Sequence, residues 1–203
     1  MLKKILFILV VTISCTSLFS QERPIEIVDE TKANRLFLYA LNKNEKDLDV
    51  IITVEGTNFR QSKRLPRAVR VPAASKVLMA NLIVERGKTV NYTYELQVTD
   101  SLSRRALRPK YEAIKIEPKK RIIVYIPENC ASCDTLISSL EKGKYLFTAH
   151  RFLEKPELKA QLAPAFSNST VNIDSAAVPI ISLNGVLYAT IEDYDQLLEE
   201  LNK

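Results

Sequence analysis

The sequence predicts two domains in series, an all-β sandwich over residues 21–118 and a mixed α/β domain over residues 119–203. Three observations predict this. Apolar residues recur with a period of two, and not of 3.6, across the first stretch. The run Glu-Pro-Lys-Lys at 117–120 interrupts it, and Pro118 cannot donate to a sheet ladder. Beyond that break, strand-like and helix-like segments alternate in the order βαβαββα.

Residues 1–20 stand apart from both domains. A cationic start (MLKK) precedes the apolar run ILFILVVTI and the small-residue stretch SCTSLFS. This is the order of a secretory signal, with cleavage expected near Ser20. The apolar run is too short to cross a bilayer, which takes about 20 residues. Lipidation at Cys15 is the alternative; Thr12 before it and Leu18 and Phe19 after it weigh against that route. The expected location is therefore exported, periplasmic or extracellular, with membrane attachment only through Cys15.

Within 21–118, the segments 35–41 (RLFLYAL) and 48–55 (LDVIITVE) are rich in β-branched and aromatic residues, joined by the turn cluster NKNEKD. Strands are expected again at 76–85, 90–99 and 111–117. In TVNYTYELQVT the residues Val90, Tyr92, Tyr94, Leu96 and Val98 share one face, which is expected to pack on the core. Strands at this spacing resemble the immunoglobulin-like modules of exported bacterial proteins. The stretch has no cysteine or histidine and no carboxylate cluster, so it reads as a spacer or an interaction domain.

The formal net charge of +5 is unevenly spread: residues 21–118 hold 18 basic and 13 acidic side chains, residues 119–203 hold 9 and 11. Neither balance implies a nucleic-acid partner. The stretch 60–70 (RQSKRLPRAVR) has five cations and no acid, and reads as a solvated loop and strand face, the alternative being a docking patch for an acidic partner or anionic lipid.

From 119 onward, RIIVYI (121–126) is a near-continuous apolar run, as expected of a strand covered on both faces. The segment 130–143 places Cys133, Leu136, Ile137 and Leu140 on one helical stripe that ends at Gly143. A strand at 144–152, a helix at 156–163 opening on Pro156, and a strand at 178–185 follow. Asn184–Gly185 signals a hairpin into a strand at 186–191, and a helix over 192–202 closes the chain.

Cys130 and Cys133 are the only cysteines left once the signal is removed. Three readings compete. A staple closing so short a loop removes little unfolded-state entropy. A tetrahedral metal site wants about four ligands, and beyond the pair there are only His150 and the acids Glu128 and Asp134. A redox pair suits the position, because unpaired N–H groups at a helix start favour a thiolate at Cys130 while Cys133 lies one turn deeper. Against it, Glu128 and Asp134 oppose that thiolate through space.

The motifs VYIPENCASC (124–133) and AVPIISLNG (177–185), with the final helix, resemble the thioredoxin fold, and its compact glutaredoxin-like form most. The resemblance implies a thiol–disulfide oxidoreductase domain. Cys130 would be the attacking nucleophile and Cys133 the resolving thiol. Val178 and Pro179 would form a cis-proline loop that grips an extended substrate. No cofactor is implied beyond the redox-active disulfide. Ala189 and Thr190 replace the Gly-Gly usual near a glutathione site. Partners would be protein disulfide or dithiol clients and a redox partner. The alternative function is a non-catalytic envelope adaptor whose sandwich carries the interaction.

Overall fold

A computed structural model describes residues 23–61, 66–167, 169 and 171–203. The expected signal segment 1–20, Cys15 and residues 62–65 of the basic stretch lie outside the described residues. Among the described residues no helix is long and apolar enough to cross a membrane.

Among the described residues, eight strands precede residue 118: β1 (Glu26–Lys32), β2 (Arg35–Asn42), β3 (Leu48–Thr57), β4 (Phe59–Gln61), β5 (Val69–Val71), β6 (Ser75–Val84), β7 (Asn91–Thr99) and β8 (Tyr111–Ala113). They form one sheet in the order β1-β2-β6-β4, with β8 also on β6, and a second in the order β5-β3-β7. Alternation in β2 and β3 turns Leu36, Leu38, Ala40, Leu48, Val50 and Ile52 into a shared core with Val77 and Leu82 of β6.

Two buried polar groups tie the loops of this half. Asn42 donates through Nδ2 to the carbonyls of Lys46, Val71 and Pro72 at 2.8–3.0 Å. Asp49 accepts from Arg70 Nε at 2.6 Å and from the Ser103 N–H at 2.6 Å. The expected burial of one face of 90–99 is corrected. Only Val90, Tyr92 and Leu96 pack partly on the core, while Tyr94 and Val98 are 46% and 45% exposed. β7 is an edge strand paired with β3 alone, so half of its apolar face finds no opposing layer.

The rest of the chain forms β9 (Ile122–Ile126), α1 (Cys133–Lys142), β10 (Phe147–Arg151), α2 (Pro156–Leu162), a 3₁₀ turn (Ala163–Phe166), β11 (Ile180–Leu183), β12 (Val186–Tyr188) and α3 (Tyr194–Asn202). The strands make a sheet in the order β10-β9-β11-β12. β10 runs parallel to β9, whereas β11 is antiparallel to both β9 and β12. Asn184 and Gly185 take the left-handed conformations (φ 50° and 91°) that a two-residue hairpin demands. Asp193 caps α3 by accepting from the Gln196 N–H at 2.9 Å.

The expected fold class, an immunoglobulin-like sandwich followed by an α/β thioredoxin-like domain, is overturned. The described residues are mostly β, with 42% strand, 17% helix and three short helices, and among them there is no clear thioredoxin-like α/β arrangement; only the all-β part of the expectation is partly compatible with it. The helices give the physical reason. An α/β class needs helical layers packed on both faces of its sheet. Here α2 has seven residues and buries none of them, and α3 buries only Leu197 and Leu201.

The two cores meet across a structured seam. Ala74 and Ile116, from before residue 118, are buried in the second core with Val124, Leu136, Leu140 and Tyr145. The Ile114 N–H donates to the Ala74 carbonyl at 2.9 Å, and the Ile116 N–H to the Lys144 carbonyl at 2.7 Å. Glu45 then bridges to the far side, accepting from the Tyr145 hydroxyl at 2.9 Å and from the Tyr194 hydroxyl at 3.0 Å. Burial, and then the Glu45 charge, push both phenols well above their usual range. A Cβ at Gly143 would run into the Tyr194 hydroxyl, so a larger residue there would force that side chain off Glu45.

Two outcomes follow from these contacts. Glu45→Ala strands two partly buried hydroxyls and lowers unfolding stability by about 1–3 kcal/mol, read as a shift in urea midpoint, while Glu45→Gln loses less. Asp49 is pushed up by burial, but its bonds from Arg70 and Ser103 outweigh this and hold it below its usual range. Its stabilisation is therefore complete above about pH 4 and lost as the pH falls. Asp49→Ala removes about 3 kcal/mol at neutral pH and flattens the acid limb of a stability-versus-pH curve.

Candidate functional site

β9 ends at Ile126, and the buried Pro127 and a turn at Glu128–Asn129 carry the chain to Cys130. Cys130 and Cys133 are joined by a disulfide, with Cα atoms 5.6 Å apart. Cys133 is the first residue of α1 and fully buried, packed with Leu136 and Leu140. Cys130 is half-buried. The pair thus joins a half-buried cysteine to one sealed by the core.

The helix starts later than the sequence suggests. Residues 130–132 are not helical, and the Leu136 N–H donates to the Ser132 carbonyl at 3.0 Å to begin the ladder. The turn after Pro127 uses those residues to redirect the chain. Ser132 sits at the cap position without bonding the helix through its side chain; its Oγ lies 3.9 Å from Cys130 Sγ. Sequence reasoning passed over this hydroxyl, although a serine one residue before a helix is a local signal.

The flanking acids have cationic company. Arg151, the last residue of β10, donates from Nη2 to Asp134 Oδ1 at 2.8 Å. Lys159 of α2 pairs with Asp174 at 2.9 Å. Its ammonium is held above its usual value by that bond, with the Glu128 charge adding to the effect. Neither Arg151 nor Lys159 was singled out from sequence. The parallel β9–β10 register, Arg151 opposite Ile126, would have found the first of them.

His150 lies beside Tyr125, ring centroids 5.9 Å apart, with Lys155 Nζ 3.5 Å from its Nδ1. Among the described residues no group of three or more His, Cys, Asp or Glu side chains is gathered to hold a metal ion.

The register Ile180 opposite Tyr125 brings the start of β11 to the end of β9. Val178 is half-buried and Pro179 buried there, at the sheet end from which the chain leaves for Cys130. The cis-proline expectation is corrected: among the described residues no peptide bond is cis, so Val178–Pro179 is trans. Trans is the lower-energy form by about 0.5–1 kcal/mol. The approach through 171–177, anchored by buried Ile173 and Ala176, delivers the chain to β11 in that form.

No family model matches the chain, and neither a curated protein nor a solved structure does. The chemistry of the pair has to be argued from its own residues.

The burial difference has a direct consequence. In the reduced, folded protein, a limiting alkylating reagent labels Cys130 and spares Cys133, whereas in denaturant both react alike; peptide mapping by mass spectrometry reads the difference.

Proposed function

We propose that this protein is an exported thiol–disulfide oxidoreductase acting on protein or small-thiol substrates through Cys130 and Cys133. One observation carries the reading: a disulfide between a half-buried cysteine and a fully buried one, tied to the first residue of a helix. A bond across so short a loop contributes little as a staple, since its effect grows with loop length. It does suit a pair that opens and closes.

The exchange balances in two steps. The Cys130 thiolate attacks one sulfur of a client disulfide, forming a mixed disulfide and expelling the other client sulfur as thiolate. The Cys133 thiolate then attacks Cys130 Sγ, closing the intramolecular bond and expelling the second client thiolate. The pair is oxidised by two electrons and the client reduced by two; the two cysteine protons end on the client thiols. The reverse sequence oxidises a dithiol. Val178 and Pro179 offer an extended client segment a surface at the same sheet end. The Ser132 hydroxyl is placed to donate to a Cys130 thiolate. Regeneration needs a second dithiol or disulfide partner, and no further cofactor enters the scheme.

The test is exchange itself. Reduced protein reduces a chromogenic disulfide faster than free dithiol at equal concentration, and Cys130→Ser removes that rate. Cys133→Ser accumulates mixed disulfides visible on non-reducing gels. An unaltered rate in Cys130→Ser would end the proposal. So would a couple more reducing than about −300 mV, the range of structural disulfides.

A further inference from the structure

From sequence, Glu128 and Asp134 bracket the dithiol with two negative charges and no adjacent cation. The fold supplies the cations from elsewhere. Arg151 reaches from the end of β10 to Asp134, the second residue of α1. Lys159 reaches from α2 into the field of Glu128 while bonded to Asp174. Arg151 is in place because β10 runs parallel to β9 in a register that sets it opposite Ile126, with the Phe152 N–H on the Ile126 carbonyl at 3.0 Å. The same strand end feeds the loop to Cys130.

We infer that Arg151 is a positioning residue for the thiol chemistry: it neutralises Asp134 and so preserves the thiolate at Cys130. The inference rests on the reading of Cys130 as the attacking thiol. The charged groups at this end of the sheet are Glu128 in the thiol's own loop, Asp134 on α1, and His150 and Arg151 on β10. Glu154 and Lys155 follow in the next turn, with Lys159 on α2 and Asp174 before β11. The Asp134 and Arg151 side chains are 76% and 48% exposed, so the effect has the size of a surface ion pair.

The experiment measures the rate at which iodoacetamide modifies Cys130 against pH, in the reduced full chain, with peptide mapping to isolate that sulfur. It needs no client. Arg151→Gln leaves Asp134 unanswered and lowers the Cys130 thiolate fraction at pH 7 by about two- to five-fold. Arg151→Lys restores most of it. Asp134→Asn leaves Arg151 unanswered and moves the profile the opposite way, and the double variant returns towards the parent. A purely structural role would shift the melting temperature without producing opposed profiles. Profiles for Arg151→Gln and Asp134→Asn that superpose on the parent, or that move in the same direction, overturn the inference. If the profiles move as stated but the chromogenic disulfide is not reduced, the oxidoreductase reading fails and the role of Arg151 stands.

Discussion

Everything about the dithiol depends on how β9 is hydrogen-bonded. One neighbour, β10, runs parallel to it and the other, β11, antiparallel. The parallel pairing sends the ends of β9 and β10 to the same edge of the sheet, and the antiparallel pairing brings the beginning of β11 there too. Three connections, 127–132, 152–155 and 171–179, therefore converge, and the exit from β12 joins them, since Tyr188 lies opposite Ile181. A parallel pair cannot be closed by a tight turn, so the crossover must contain α1. Cys133 is where that crossover becomes helical. Ile122, Val124 and Ile126 of β9 bury themselves under α1, and this packing decides that Cys133 is sealed while Cys130 is not.

The seam to the first core adds a second constraint. Ile116 is a core residue of the second half although it precedes Pro118, and its backbone pairs with the Tyr145 segment. A segment held this way is not a loose tether. Glu45 reinforces the seam by engaging Tyr145, just beyond α1, and Tyr194, the first residue of α3. The carboxylate sits between two elements that pack on the helix carrying Cys133. The first half thus contributes directly to how that helix is held.

What could be read from sequence was what short-range pattern controls. The strands read at 35–41, 48–55 and 76–85, the Asn184–Gly185 hairpin and the helix opening on Pro156 follow from period, β-branching and turn chemistry, and the structure sets those strands at 35–42, 48–57 and 75–84. Other features were not local. β1 was missed because EIVDETK carries four charges and its burial pattern is mostly exposed; its place comes from pairing with β2. The inward face of 90–99 was overestimated because alternation shows a face, not whether another layer covers it. The class expected for 119–203 failed for a related reason. Helical periodicity in PELKAQL shows that a helix can form, and says nothing about whether it buries anything. At the site, the two cysteines were legible as a spaced pair, but the late helix start and the trans Val178–Pro179 bond came from the loops around them.

The charges around the thiols show most clearly where local reading stops. Glu128 and Asp134 were visible because they are neighbours in sequence, and Arg151 and Lys159 were not because they are neighbours only in space. At physiological salt, charges interact over about 8 Å, a distance that ignores sequence separation. A tally taken along the chain therefore sees only the two acids, whereas the tally taken around the sheet end adds cations that partly offset them. With the charges partly offset, the asymmetry between the sulfurs has to come from packing. Apolar burial disfavours a thiolate, and Cys133 is fully buried among Leu136 and Leu140 while Cys130 is only partly buried against the same cluster. In the proposed exchange, the order of attack, Cys130 first and Cys133 second, would then rest on the shape of the core and not on the residues on either side of the motif.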